Sequence, residues 1–337
     1  MRSSSPDPID LLELGYSPCD SVDAWRQRLA APICHMLGTE AAPSLSYLEG
    51  TAGPERIQVL PGSFDIPDTI AAGMLREAIA QNSEEERRAF DASSRCPGIT
   101  STQHVANKAP NIEYVHDQGY VDAVAAIIHT DSGQPLIFTS LCRHRYAIDR
   151  TTQALWRRLS THLSAGCRLA MRSASPESDD VDCVLSSDGK VLHAAASFQE
   201  RARLDHLRST ALKIDQARTR AKRQDPISAL ELWGGLFSGR WSLVDHFSSD
   251  GRRFILARRN PPYVGHSAPG LPLRQRQVLF YAGAGWSNKE IAYALGISPA
   301  TVAQHLGAAL RALGICSRQQ WIALSSQVYE RECNKMT

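Results

Sequence analysis

Apolar residues recur along this chain at two different periods, and the changes between them mark out three stretches. In the first, Trp25, Leu29, Ile33 and Met36 stand three or four residues apart, the spacing of one helical face. They predict a helix from Asp20 to Leu37. Short apolar runs at Ser44–Glu49 and Arg56–Leu60, parted by Gly-Pro breakers, read as strands. A helix follows from Pro67 to about Asp91, ending in the charged run Glu84-Glu85-Glu86-Arg87-Arg88. Val121–Thr130 and Pro135–Cys142 then form a hairpin across Asp131-Ser132-Gly133-Gln134. Thr151 to Arg172 returns to helical spacing, with Leu155, Leu159, His162, Leu163 and Leu169 inward. The order is α-β-β-α-β-β-α.

The second stretch holds two further hairpins. Asp182–Leu185 and Val191–Ala194 flank Ser187-Asp188-Gly189, and Trp241–Val244 and Phe254–Ala257 flank Ser249-Asp250-Gly251. Each Asp-Gly supplies the positive φ that a tight turn needs. Between them, Leu204, Leu207, Ala211 and Ile214 predict a helix from Glu200 to about Arg220, and Asp225-Pro226 opens another through Leu230 and Trp233. This order, β-β-α-α-β-β, resembles a small PAS-like module, and the first stretch resembles a GAF-like domain. Both resemblances are of layout. For the PAS-like module a dry structural core is at least as good a reading as a ligand pocket.

The third stretch is helical throughout. Arg274 to Gly285 places Val278, Leu279 and Ala282 on one face. Ser287-Asn288-Lys289-Glu290 is a capping box that opens a helix burying Ile291, Ala294 and Leu295 and stopping at Gly296. Ser298-Pro299, an N-cap followed by proline at the first helical position, opens a third helix striped by Val302, Leu306, Ala309, Leu310 and Leu313. A last helix covers roughly Arg318 to Ser325. The pair joined by Gly296-Ile297-Ser298 reads as a helix-turn-helix, whose second member fits the ~12 Å major groove of duplex DNA.

Charge at first argues against that reading. The 337 residues carry 37 Lys+Arg and 35 Asp+Glu, a formal +2. The total hides a division, however. Residues 1–200 hold 17 basic and 26 acidic side chains, and residues 201–337 hold 20 and 9, so −9 faces +11, an asymmetry that suggests a polyanion-binding end. Most of the surplus, 13 basic against 6 acidic, lies in residues 201–263, and only 7 against 3 in residues 264–337. Arg201, Arg203, Arg208, Arg218, Arg220, Lys222 and Arg223 form the outer face of the basic helix. They suit a solvated face, a non-specific DNA contact, or a contact with the acidic half of the chain.

Arg274, Val278-Leu279, Ala282, Gly285, Ser287 to Ala292, Leu295, Ile297-Ser298, Thr301-Val302, His305, Leu310, Leu313-Gly314-Ile315 and Ser317-Arg318 together resemble the LuxR-type (GerE-type) DNA-binding domain of bacterial regulators. The resemblance implies an α+β, multi-domain chain, with N-terminal α/β sensory-type domains followed by an all-α four-helix helix-turn-helix domain. The expected boundaries are 1–175 (GAF-like), 176–263 (PAS-like with the basic helix) and 264–330 (helix-turn-helix). The implied DNA-contacting set is Lys289, Ser298, Thr301, Ala303, Gln304, His305, Gly307, Ala308, Arg311 and Arg318. Gln304 has the donor and acceptor to pair with adenine, or is merely solvated, and the small Ala303, Gly307 and Ala308 allow approach to thymine methyls.

The chain departs from the family pattern where charge matters. Pro272-Leu273-Arg274-Gln275 replaces the usual Thr-Pro-Arg-Glu opening, and Gln277 stands for a second Glu. Ala303 replaces the usual Lys, and Gly307 and Ala312 stand at other often-basic positions, leaving Arg311 as the one fixed positive charge of that helix. Phosphate contacts dominate affinity, so the module alone is expected to bind weakly. An alternative follows: a regulatory protein-interaction module in which a drifted helix-turn-helix binds a protein partner and not DNA.

The remaining candidates are weaker. Cys19, Cys34, Cys96, Cys142, Cys167, Cys183, Cys316 and Cys333 form no C-x-x-C pair and read as reduced and largely buried. Cys142-Arg143-His144 has the residue types of a redox or anion site. His35, His116, His129 and His144 show no metal-ligand spacing, and Trp25 and Tyr47 read as core. Phosphate-loop and nucleophile-elbow motifs are missing, so the expectation is a non-enzyme without metal or cofactor. The Ser- and Pro-broken Met1–Asp10 shows no secretory signal and no membrane span is read, so a cytoplasmic protein is expected. The partners implied are double-stranded DNA, a second copy in a homodimer, RNA polymerase, and a small-molecule signal of unknown identity.

Overall fold

The computed structural model describes residues 7–37, 44–48, 57–59, 73, 97–101, 119–129, 135–173, 181–198, 200–233, 236–237, 241–248, 250–259, 270–283 and 285–322. The predicted helix over Pro67–Asp91 and the turn at Asp131–Gln134 lie outside them, apart from residue 73. The fold is α+β, with helices, two antiparallel sheets and a helical C-terminal domain. The chain forms two compact units that alternate in sequence. The first comprises Met1–Leu29, Thr161–Pro262 and Tyr293–Ile297, and the second Ala30–Ser160, Tyr263–Ala292 and Ser298–Thr337.

The second unit holds a five-stranded sheet in the order β2-β1-β5-β4-β3. Its strands are β1 (Ser44–Leu48), β2 (Ile57–Val59), β3 (Gly98–Ser101), β4 (Asp122–His129) and β5 (Pro135–Cys142). The sequence places four of these within one or two residues. Strand β3 has only four residues and no apolar alternation, and it is defined by pairing Gly98 to Ser101 against Ile127 to Val124. The Cys142 thiol at the end of β5 is buried. Burial, then the charge of Asp122, push it up to about 11. It is therefore a protonated core thiol at neutral pH, and His144 beside it is exposed, while Arg143 lies 4.8 Å over the Tyr120 ring.

The first unit is built on a sheet ordered β7-β6-β10-β9-β8. The strands are β6 (Val181–Ser186), β7 (Val191–Ala194), β8 (Leu236–Phe237), β9 (Trp241–Phe247) and β10 (Arg253–Arg259). The two Ser-Ser-Asp-Gly turns are built alike. Ser186 and Ser248 accept from the Gly189 and Gly251 N–H groups at 2.9 Å each, and the glycines take φ of +81° and +77°, closing a turn with a left-handed glycine. The serine hydroxyls donate to Asp188 and Asp250.

Helix α1 (Pro8–Tyr16), in the first unit, forms where the Ser- and Pro-rich start reads as broken in sequence. Asp7 caps it, accepting from Ile9 and Asp10 N–H at 2.8 and 2.9 Å, and Pro8 stands at the helix start, where its missing N–H is harmless. Ile9, Leu11 and Leu12 are fully buried. Helix α2 (Val22–Met36) and helix α3 (Arg150–Ser173) follow their predicted patterns. The Trp25 indole donates to the Gly15 carbonyl at 2.8 Å. A side chain on Gly166 would collide with the backbone oxygen of Gly15, and one on Gly15 would meet Leu163 at 2.8 Å. Helices α1 and α3 therefore cross backbone to backbone.

The basic segment becomes helix α4 (Arg201–Ala217), a single turn α5 (Arg220–Arg223), and α6 (Pro226–Leu232) capped by Asp225. Two of its arginines do not form a solvated face. Arg218 pairs with Glu13 at 2.8 Å, Asp215 at 3.0 Å and Asp245 at 2.6 Å. Arg223 pairs with Asp7 at 3.0 Å, Asp10 at 2.5 Å and Glu13 at 3.5 Å. Arg253 joins through Asp215 and Asp245 at 2.7 and 2.9 Å. Burial raises the Asp215 pKa, but the bonds and charges of Arg253 and Arg218 outweigh it and hold the carboxyl below its ordinary value. A depressed folded value stabilises above the unfolded ~3.9 and is lost as pH falls through the folded one.

Two outcomes are expected. Gly166→Ala should lower stability by roughly 1–3 kcal/mol through overpacking, read as a lower midpoint of thermal unfolding. Arg218→Gln should cost roughly 1–3 kcal/mol at neutral pH, between the values for exposed and buried pairs. Its deficit against the wild type should shrink as pH falls below about 4 and through the depressed Asp215 value; a pH-independent deficit would exclude the ionic origin.

Candidate nucleic-acid interface

The C-terminal helices are α7 (Leu273–Gly283), α8 (Asn288–Leu295) and α9 (Pro299–Ala312), followed by helical residues 318–322. Each start follows from local chemistry. Helix α7 has no hydroxyl cap; Arg274 instead reaches the buried Gln277 amide oxygen at 3.1 Å. At α8 the Glu290 carboxylate accepts from Ser287 N–H at 2.7 Å while Glu290 N–H donates to the Ser287 hydroxyl at 3.3 Å, the reciprocal box the sequence predicts. Ser298 accepts from Thr301 N–H at 3.0 Å and caps α9.

Core packing fixes which face of α9 is free. Val278, Leu279, Ala282 and Trp286 are buried around α7, as are Val302, Leu306 and Ala309 on α9 and Ile291, Ala294 and Leu295 on α8. The Trp321 indole donates to the Leu279 carbonyl at 2.8 Å. Leu313 departs from the predicted stripe. The helix ends at Ala312, and Leu313 becomes its C-cap with φ −90° and ψ −1°, leaving the side chain 37% exposed. Leu310 is half-buried.

The proposed contact residues fall into three settings. Ala303, Gln304 and Arg311 are exposed, and His305, Gly307 and Ala308 are half-buried. The Arg311 guanidinium lies back across Gly307, 3.5 Å from where a β-carbon would stand. Ser298 and Thr301 occupy the helix start, with their hydroxyls 2.8 Å apart, so the Thr301 hydroxyl is part of the cap. Lys289 is exposed at the start of α8. Arg318 faces elsewhere. It donates to the Asn288 side-chain oxygen at 2.9 Å and is half-buried; burial lowers its pKa from the ordinary arginine value, with Glu290 opposing. It ties the last helical turns to the start of α8.

A polar junction on the other side of α8 was not legible in sequence. Glu290 accepts from Arg157 of α3 at 2.6 Å. Burial raises the Glu290 pKa, but Arg157 and the two Ser287 bonds outweigh it and hold the carboxyl below its ordinary value. Tyr293 donates its hydroxyl to the Leu230 carbonyl at 2.9 Å and lies 2.7 Å from His162 Nε2. Glu290 and Tyr293 stand at i and i+3, but nothing in the local pattern names Arg157 and His162, more than a hundred residues away, or Leu230 as their partners.

With this geometry in view, residues 270–325 match the family model for GerE, bacterial regulatory proteins of the luxR family. They form a LuxR-type helix-turn-helix domain, the DNA-binding module of transcription regulators. No curated protein matches the chain. Fourteen solved chains match it. One is the crystal structure of Escherichia coli SdiA, 10% identical, with 93% of this chain and 92% of that chain covered and a TM-score of 0.32. Another is SdiA in complex with octanoyl-rac-glycerol, 11% identical, with 94% and 92% covered and a TM-score of 0.28. At these scores neither likeness defines the fold or a ligand of this chain. Among the described residues, no helix is long and apolar enough to cross a membrane and no cluster of three or more metal-ligand side chains occurs.

Two changes in α9 should act in opposite directions. Ser298→Ala should cost about 1 kcal/mol through loss of the cap. Gly307→Ala should gain about 0.8–1 kcal/mol of helix stability, because the added methyl meets Arg311 only at ordinary contact distance. Thermal unfolding of the full chain reads both; a destabilising Gly307→Ala would place a neighbour over that residue.

Proposed function

We propose that the chain is a cytoplasmic transcription regulator whose C-terminal helix-turn-helix reads the major groove of duplex DNA. In this reading the N-terminal region, GAF-like over 1–175 and PAS-like over 176–263, senses a small-molecule signal or dimerises. The domain of 264–330 carries the DNA contacts, and RNA polymerase is the further partner. The observation that carries the proposal is the recognition helix. It is capped at Ser298, anchored by Val302, Leu306 and Ala309, and presents Ala303, Gln304 and Arg311 to solvent. Two five-stranded antiparallel sheets flanked by helices support the sensory reading upstream. A dimer would place two recognition helices on half-sites about 34 Å apart.

Roles divide by chemistry. Gln304 offers a donor and an acceptor to an adenine edge, and Ala303 and Ala308 leave room for thymine methyls. Arg311 and Lys289 neutralise phosphates, and Ser298, Thr301 and the Ala300 N–H at the start of α9 lie against the backbone. His305 and Gly307 border this surface, and Arg318 supports it from behind.

A second reading is favoured by one observation: with Ala303, Gly307 and Ala312 uncharged and Arg318 bonded to Asn288, the face has little fixed positive charge. It would then dock a protein partner. Selection of bound fragments from genomic DNA by the purified protein separates the readings, as does salt. DNA binding should weaken steeply with salt, by roughly 0.9 log unit per neutralised phosphate and decade of salt; micromolar, salt-insensitive binding to every duplex would favour the protein partner. Gln304→Ala should change sequence preference at one position, worth about 1–3 kcal/mol, while Arg311→Ala should weaken all sequences alike. Equal effects of both changes on every sequence would defeat these roles.

A further inference from the structure

The polar junction behind α8 belongs to no DNA contact, yet it engages the helix that precedes the recognition helix. Its hydrogen-bond directions can be assigned. The Leu230 carbonyl can only accept, so the Tyr293 hydroxyl donates its one proton there, at 2.9 Å. His162 Nε2, 2.7 Å away, must then donate to the Tyr293 oxygen. In the neutral ring Nδ1 is left as an acceptor, and the Tyr16 hydroxyl stands 3.1 Å from it. The result is a directed chain, Tyr16 to His162 to Tyr293 to Leu230, joining α1, α3, α8 and α6 in the first compact unit. His162 is 2% exposed and Tyr16 6%, so the bond between them is shielded from water, while the two bonds of the half-buried Tyr293 are partly shielded. The His162 and Tyr293 rings meet edge to face with centroids 5.5 Å apart.

A second contact, within the other compact unit, acts on the same helix. The Glu290 carboxylate is divided between two tasks. One oxygen accepts from Ser287 N–H and completes the cap of α8, and the other accepts from Arg157 at 2.6 Å. The donor of the capping carboxylate's second bond thus sits on α3, five residues before His162. Within that second unit, Ala303, Gln304 and Arg311 are exposed with the Arg157–Glu290 pair formed.

We infer that His162, Tyr293, Arg157 and Glu290 are positioning residues, which hold the helix-turn-helix in a fixed orientation on α3 so that a dimer accepts one spacing of DNA half-sites. This rests on the DNA-binding, dimeric reading above. A helix-turn-helix on a loose tether would engage half-sites over a range of spacings, since a flexible linker averages over separations; one seated through directed bonds keeps a single phase of the helical repeat.

The test uses the full chain and duplexes carrying two selected half-sites, with the spacer varied one base pair at a time through a helical turn. The wild type should prefer one spacing. Tyr293→Phe, which removes the hydroxyl and keeps the ring, and Arg157→Gln, which leaves the Ser287–Glu290 cap in place, should each flatten that preference by roughly tenfold while keeping the preference among half-site sequences. His162→Gln, whose amide can donate to Tyr293 and accept from Tyr16, should restore more of the spacing preference than His162→Phe. A spacing profile unchanged in Tyr293→Phe or Arg157→Gln, or no spacing preference in the wild type, overturns the inference. Loss of half-site preference along with spacing also overturns it, because the residues would then serve the fold of the module. Failure of the wild type to select any DNA would overturn the proposed function instead.

Discussion

Opposite charges brought face to face govern the first compact unit. Arg218 and Arg223, with Arg253 behind them, are shared among Asp7, Asp10, Glu13, Asp215 and Asp245. Helix α1, turn α5 and strands β9 and β10 meet at these side chains. Removing one arginine leaves several partly buried carboxylates facing each other, which is costlier than losing an exposed pair. Pairing leaves the formal total of +2 unchanged, but it sets part of the basic surplus, Arg218 and Arg223, against Asp7, Asp10 and Glu13 of the N-terminal half.

The same contacts seat α1 where it can approach α3 at Gly15 and Gly166. That crossing has no room for a β-carbon, and it brings Tyr16 to His162. Electrostatic seating, backbone contact and the hydrogen-bond chain are thus successive consequences of one arrangement, and the last of them passes through Tyr293 of the helix-turn-helix to the Leu230 carbonyl.

The recognition helix is strong in its framework and sparing in its charge. Ser298, Pro299 and the Val302–Leu306–Ala309 stripe secure its start and its inner face. Its outer face depends on small residues, one glutamine and one arginine. Such a surface offers few phosphate contacts, so in the proposed reading base edges would carry more of the recognition and the presentation of the helix would matter more.

Local chemistry was legible in the sequence because it is encoded within a few residues. The Ser287–Glu290 box, the Ser298-Pro299 start, both Asp-Gly hairpins and the apolar stripes of α2, α3 and α4 follow from spacing alone. Helix α1 carries its start signal in Asp7, Pro8 and Asp10, although a proline there reads equally as a breaker. Leu313 was misplaced because periodicity does not say where a helix stops. Strand β3, the destinations of Arg218 and Arg223, the inert Cys142 thiol, the turn of Arg318 toward Asn288 and the junction at Tyr293 were decided only by the tertiary structure. Each depends on a partner distant in the chain, and a charge or hydroxyl carries no mark in sequence of which distant group it will meet. The amino-acid sequence thus determined which helices form and which module ends the chain, because those choices are local. Folding decided which charges remain free and what holds the module, because those depend on burial and proximity.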